Sequence, residues 1–343
     1  MDKNNLLDCT LRDGGYINRW KFKDDEIQDM IASMTTAGLD FVEVGYIDRN
    51  GSSKDTTRFP DIGSIARYLP ADRMNTTFLA MADVQEIGVE DIEPNDGRSV
   101  EGIRVVFYKH QIEEAMALAK AVREKGYLLF MQPMVTIDYT TDEYAHLTRE
   151  IAKLNPYAVS VVDSFGYMLK SDYRRYFNIL DNILPVETVI GFHSHNNMNL
   201  AFITAQDVME YETTRRLIID CSLYGMGRGA GNLNTEIIAN YYNMTLGRKY
   251  DTDAILELIS KYIMEIYDER SWGYSPYLFI TGLFHYHPNF ACYLLEEEDV
   301  TVEEFERFLL SVPGDMKTKC RKPYVIAKWK EFKDEQNRSY HAD

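Results

Sequence analysis

The sequence predicts an α/β chain of the (β/α)₈ type, a TIM barrel followed by a smaller helical C-terminal extension, and three observations carry that prediction. Short runs rich in β-branched and aromatic residues alternate with longer stretches of helical period. Eight such runs precede residue 225. Their starts advance by roughly 30 residues each, the size of one βα unit.

In chain order the runs are Asn5 to Thr10, Phe41 to Gly45, Met74 to Ala80, Gly102 to Phe107, Tyr127 to Gln132, Ala158 to Asp163, Val189 to His193 and Leu217 to Ser222. Between them, Asp24 to Thr36 and Gln111 to Lys125 read as helices. The second sets Ile112, Ala115, Met116 and Ala119 at i, i+3, i+4 and i+7, one apolar face. Gly38 and Gly126 stand where these helices should stop. A doubly wound open sheet alternates in the same way but usually with about five to seven strands, so eight evenly spaced runs favour closure. After residue 250 the strand signal disappears, and helices are expected from Asp253 to Tyr267 and around Val302 to Leu310. The expected division is therefore a catalytic barrel over 1–250 and a helical extension over 251–343.

With 343 residues, 45% of them hydrophobic, the chain is long enough for a sizeable core. Its 54 acidic and 37 basic side chains give a net charge of −17, which argues against nucleic acid and anionic membrane as partners. Met1 to Leu7 has no apolar stretch of signal-peptide length, and no window approaches the roughly 20 apolar residues of a membrane span, so a cytoplasmic protein is expected. Cys9, Cys221, Cys292 and Cys320 are scattered without a CxxC spacing and read as reduced thiols. The acidic run Glu296 to Asp299 and the basic tail from Lys317 to Lys333 read as solvated faces.

In a (β/α)₈ barrel chemistry belongs at the C-terminal ends of the strands. Asp8 to Tyr16 follows the first run, Asp163 to Gly166 closes the sixth, His193 to Asn197 closes the seventh and Gly225 to Asn232 follows the eighth. His193 and His195, two apart on an extended segment, project to one face. Such a pair serves local hydrogen bonding or, with Asp13 available at the mouth, a shared cation. Two neutral imidazoles and a carboxylate suit Mn²⁺, Fe²⁺, Co²⁺ or Zn²⁺, with Mg²⁺ also compatible. The glycine loop does not open a βαβ unit, which argues against a dinucleotide site. It is read as a turn needing positive φ or as backbone that approaches a substrate closely.

Together, Asp8 to Gly14, Val42 to Gly45, Asp163 to Gly166, His193 to Asn197 and Gly229 to Asn232 resemble, in this order, the motifs of the DRE-TIM metallolyases, the HMG-CoA-lyase-like enzymes. The resemblance covers roughly residues 5 to 245, and chain length is most similar to the 4-hydroxy-2-oxovalerate aldolase branch. It implies Asp13, His193, His195 and Asn232 as ligands of a divalent metal, Mn²⁺ or Mg²⁺ foremost. It also implies that Arg12 stabilises an enolate oxygen derived from a 2-oxo acid such as pyruvate. Glu43 is a candidate partner of Arg12 or of the metal's water, and Ser164 a candidate contact for a substrate carboxylate. Asn196 and Asn197 are candidate caps of the helix that follows.

This chain departs from the family pattern in three places. Tyr16 stands where the aldolases carry a catalytic His, and a phenol with an ordinary pKa near 10 is a weak base at neutral pH. The glycine loop lacks the Cys of HMG-CoA lyase, and Cys221, on the strand, is read as core. His285 and His287 lie where the aldolases offer a Tyr, so the candidate acid or base groups are Tyr16 and these histidines, His287 foremost. The expected function is a carbon–carbon lyase of the aldolase type. The alternatives are a Claisen-type synthase joining an acyl-CoA to a 2-oxo acid and a non-catalytic metal- and oxo-acid-binding subunit. No basic pocket for CoA phosphates stands out in the sequence, which favours the aldolase. A homodimer or a partner dehydrogenase is expected to dock through the C-terminal helices, with Trp272, Tyr274 and Phe279 as candidate contacts.

Overall fold

Nine strands form one sheet: β1 (Asn4–Asp8), β2 (Phe41–Ile47), β3 (Arg58–Phe59), β4 (Thr77–Asp83), β5 (Gly102–Phe107), β6 (Leu128–Pro133), β7 (Ala158–Asp163), β8 (Val189–Ser194) and β9 (Leu217–Cys221). In this computed structural model, which describes residues 3–247 and 250–340, all neighbouring strands run parallel. Met1 and Asp2 of the N-terminal segment read above lie outside the described residues. β1 pairs with β9 on one side and with β2 on the other, so the sheet closes into an eight-stranded barrel and the open-sheet alternative falls. The two-residue β3 hangs outside the closure on the end of β2.

Several strand ends shift by one to three residues from the sequence expectation, and two of the shifts have clear local reasons. The third barrel strand begins at Thr77 rather than Met74, because Met74 sits at φ +49° in a turn held by the Asp72 carboxylate on its N–H. The first ends at Asp8 rather than Thr10: the Asp8 carboxylate accepts the Thr10 N–H at 2.8 Å and bends the chain into a helical turn, Thr10–Asp13. That turn carries Arg12 and Asp13 over the barrel mouth.

Helices stand between the strands as expected. Asp24–Thr36 ends with the Gly38 N–H on the Thr35 carbonyl and the Leu39 N–H on Met34, with Gly38 at φ +82°. Ile112–Glu124 ends in the same way at Gly126, φ +91°. This double-bonded ending needs a left-handed residue, which glycine adopts without strain.

Beyond the barrel the described chain is helical: Thr252–Leu258, Ile259–Ile263, Met264–Glu269, Pro276–Leu283, Asn289–Glu297, Val302–Ser311 and Lys322–Tyr340. Side chains from Tyr250 to Trp272 join the core between sheet and helices. Those from Leu278 onward build a second apolar cluster around Phe290, Phe305, Phe308 and Trp329, and Ala230 of the glycine loop belongs to it. The later helices therefore bear on the rim of the barrel. No helix among the described residues is long and apolar enough to cross a membrane.

Candidate active site

Two residues separate successive inward side chains on a strand, and this period assembles the site. His193 on β8 and His195 just beyond it point to one side, with ring centroids 5.2 Å apart. Asp13 joins them from the turn after β1: one donor atom from each of Asp13, His193 and His195 lies within 4.8 Å of the others, and all three residues are buried. Asn232 completes the group. An antiparallel bridge pairs it with His195, and its Nδ2 donates to Asp13 Oδ2 at 2.6 Å.

Four polar atoms here are buried without a partner: His195 Nδ1, Asn232 Oδ1, Glu43 Oε1 and Asp220 Oδ1. Orphaned acceptors in a dry site are costly unless a ligand satisfies them. Two of the four belong to the proposed ligand group, so the donor set fits a divalent cation. Burial holds His195 neutral, pushing it down to about 3 against the opposing pull of Asp13. Burial alone would raise Asp13, but the Arg12 guanidinium and the two imidazoles outweigh it and keep the carboxylate ionised well below its usual range. A neutral imidazole and an ionised carboxylate are the forms that bind metal.

Beneath this group runs a chain of buried charges. Arg12 Nη1 bonds Asp13 and its Nε donates to Glu43 Oε2 at 2.7 Å. Arg104 Nη1 reaches the same Glu43 oxygen at 3.1 Å, and its Nη2 bonds Asp220. Asp220 Oδ2 lies 3.0 Å from His193 Nδ1. A carboxylate on Nδ1 fixes the tautomer with the proton there and leaves Nε2 as the free acceptor, the arrangement found behind metal-binding histidines. Sequence reading missed Arg104 and Asp220. Their signal was parity, since each is a charged residue on the inward face of an otherwise apolar strand.

The other expected residues are placed as follows. Ser164 is buried, and its oxygen accepts the Val135 N–H at 2.8 Å, which leaves its proton to donate. Tyr16 is 39% exposed at the mouth, its hydroxyl 3.2 Å from that of Tyr46. His287 is buried against Phe165, ring centroids 5.0 Å apart. Burial, with the charges of Arg228 and His195 behind it, drives its pKa far down. His287 Nδ1 accepts the Asn289 N–H at 3.1 Å, so a neutral ring carries its proton on Nε2 and acts as a donor. His285 stands apart, stacked on Tyr167 at 4.3 Å. Asn196 Oδ1 accepts the Ala201 N–H at the start of helix Ala201–Glu210, whereas Asn197 Oδ1 accepts from Ala230 and anchors the glycine loop. Cys221 is buried, its thiol directed at the Leu7 carbonyl.

The glycine loop is the turn of positive φ that it was read as. Gly225, Gly229 and Gly231 have φ between +64° and +81°. Gly227 passes so close to the metal group that a Cβ there would lie 2.9 Å from Asp13 Oδ2. The structure also brings together what the sequence kept apart. A cavity of about 1090 Å³ opens between the strand ends at Tyr108 and Val135 and the segment Met316 to Tyr324, rimmed by Lys109, His110, Lys319 and Arg321 against the single carboxylate of Asp138. The absence of a basic pocket was a reading of linear sequence only, since Lys109 and the pair Lys319 and Arg321 are some 200 residues apart in the chain.

Comparison with known proteins agrees with this picture. The chain is 27% identical to 4-hydroxy-2-oxovalerate aldolase 6 of Rhodococcus jostii (strain RHA1), over 75% of this chain and 72% of that one. It is 26% identical to an oxaloacetate decarboxylase of Mycobacterium tuberculosis (strain ATCC 25618 / H37Rv), over 68% of each. Its fold superposes on the N-terminal domain of a candidate aldolase from Bacteroides vulgatus with a TM-score of 0.76, at 24% identity, covering 88% of this chain and 99% of the other. The HMGL-like family model matches residues 3–261, three quarters of the chain and all eight barrel strands, and the protein is therefore a member of the HMGL-like, or DRE-TIM, family.

Proposed function

We propose that this protein is a divalent-metal-dependent lyase that makes or breaks a carbon–carbon bond of a 2-oxo acid through a pyruvate-type enolate, with Mn²⁺ or Mg²⁺ as its metal. The observation that carries this reading is the buried group of Asp13, His193 and His195 with Arg12 fixed beside it. Asp13, His193, His195 and Asn232 would hold the ion, and the barrel of 1–250 would be the catalytic unit beneath a helical cap of 251–343. When bound, a divalent ion supplies Lewis acidity that polarises the carbonyl of a chelating 2-oxo acid.

The protein's own groups do the rest. Arg12 is held by two carboxylates through Nη1 and Nε, which leaves Nη2 free of ion pairs among the described residues to face negative charge that develops on the enolate oxygen. Ser164 donates its proton to the substrate carboxylate. In the cleavage direction Tyr16, in its phenolate form and hydrogen-bonded by the Tyr46 hydroxyl, takes the proton from the 4-hydroxyl. The C3–C4 bond breaks, its electrons form the enolate and the hydroxyl carbon leaves as an aldehyde. His287, whose neutral ring carries its proton on Nε2, returns a proton to C3.

The test is exchange. In D₂O with Mn²⁺, the protein should erase the methyl proton signal of pyruvate in NMR spectra, and His193→Ala should not. Exchange in both proteins, or in neither, defeats the assignment, and tight pyruvate binding without exchange would instead mark a binding subunit.

A further inference from the structure

Three guanidinium groups lie at the barrel mouth, and they are not equivalent. Arg12 is paired with Asp13 and Glu43, and Arg104 with Glu43 and Asp220. Arg228, in the glycine loop, has no carboxylate partner among the described residues, and its Nε is sealed from solvent without an acceptor. The centroid of the Tyr16 ring lies 5.1 Å from its guanidinium carbon. A π face offsets part of the charge but gives the Nε–H nothing to bond. Arg228 is only half-buried, but an Nε–H sealed from solvent without an acceptor costs stability, so its retention points to a ligand that supplies the missing acceptor.

Position says which part of a ligand that is. Residue 228 follows Gly227, where a Cβ would lie 2.9 Å from Asp13 Oδ2, and precedes Gly229, where a Cβ would meet Pro288. Arg228 therefore stands between the metal group and the helical extension. Its charge is felt at Tyr108 and Cys320, both of which line the basic cavity. In that cavity Lys319 and Arg321 are exposed and free of carboxylate partners among the described residues. On a protein of net charge −17 this is a local reversal of sign.

We propose that Arg228 binds a second anionic group, carboxylate or phosphate, at the far end of the substrate, so that the protein acts on dianionic 2-oxo acids that enter through the Lys319 and Arg321 cavity. The inference rests on the 2-oxo acid reading of the metal site and adds to it the substrate's other end. Charge-assisted, bidentate bonding of a guanidinium to an anion gives the discrimination.

Calorimetric titration of the Mn²⁺-loaded protein tests it with two acids of equal carbon count, 2-oxoglutarate and 2-oxovalerate, and with phosphonopyruvate as the phosphate-like probe. At least one dianion should bind about tenfold or more tightly than 2-oxovalerate. Arg228→Met should erase that gain while 2-oxovalerate affinity holds, and Arg228→Lys should keep part of it. Thermal melts of both variants confirm folding. Whichever dianion shows the larger Arg228-dependent gain identifies the group. Equal affinity for all three acids in the parent protein, or a gain that survives Arg228→Met, overturns the assignment but leaves the metal site standing. Failure of every acid to bind overturns the 2-oxo acid reading itself. Capture of acetyl-CoA in preference to the dianions, lost in Arg228→Met, would overturn the dianion class in favour of an acyl-CoA.

Discussion

The two ends of the barrel interior are built from the same strands and obey opposite rules. At the N-terminal end Leu7, Phe41, Leu79, Phe130, Ala158, Val189 and Ile218 pack into an apolar plug. Two residues further along those strands stand Cys9, Glu43, Met81, Gln132, Ser160, Gly191 and Asp220, with Arg104 two beyond Gly102 on β5. A period of two keeps both layers on the inner face, so a single step changes the interior from hydrocarbon to charge. The plug asks only that volume be filled. The ionic layer asks that every partner be present, because a charge left alone at that depth has neither water nor counterion.

The largest effect should therefore come from breaking the ionic layer at its centre. Arg104→Met leaves Glu43 and Asp220 each short of a cation and should cost about 3–5 kcal/mol in urea denaturation. A loss below about 1 kcal/mol would mean that neighbouring groups neutralise the pair without it. Asp220→Asn is narrower: it keeps the volume but weakens the hold on His193 Nδ1. Mn²⁺ affinity by calorimetry should fall about 10–100-fold, the usual consequence of losing a carboxylate behind a metal-binding histidine. Unchanged affinity would detach Asp220 from the metal site.

The same contrast explains what could be read in the sequence. The barrel was legible because eight buried strands repeat one local pattern, and the helix ends at Gly38 and Gly126 are local as well. The grouping of Asp13, His193 and His195 was legible because the two histidines are neighbours in sequence and the Asp13 turn follows β1 directly. Arg104 and Asp220 were not, because a charge within an apolar run shows its partner only once β5 and β9 face each other across the barrel. The same holds for Arg228, whose lack of a carboxylate partner among the described residues is a fact of tertiary packing, and for the basic cavity, whose walls come from segments some 200 residues apart. His287 was named in the sequence, but the tautomer of its neutral ring became visible only through the Asn289 N–H on Nδ1.

Acid should sharpen the comparison further. His195 is depressed to about 3 in the fold, chiefly by burial, against about 6.5 in an unfolded chain. A depressed group adds stability that is complete above about pH 6.5 and is lost as pH falls through about 3. In the metal-free protein its contribution should therefore drop by about 2 kcal/mol between pH 7 and pH 5. Asp8 and Asp163 act in the opposite sense. Burial raises both to about 6, so their contribution is present at low pH and is lost as pH rises through about 6. The wild-type slope mixes the two, and the test is a difference: His195→Gln should lose less stability than the wild type on going from pH 7 to pH 5. Parallel curves would show that His195 does not carry the penalty.

The smallest effect belongs to the plug, and it decides whether the two ends are independent. Ile218 lies on β9 two residues before Asp220 and contributes hydrocarbon alone. Ile218→Val removes one methylene from a site with little room to collapse and should cost about 1 kcal/mol. Because Asp220 is held by Arg104 and His193 rather than by the packing below it, Mn²⁺ affinity in this variant should stay within about twofold of the parent protein. A tenfold loss would mean that the charged layer takes its geometry from the plug, and the barrel interior would then act as one unit rather than as a floor and a site that share strands.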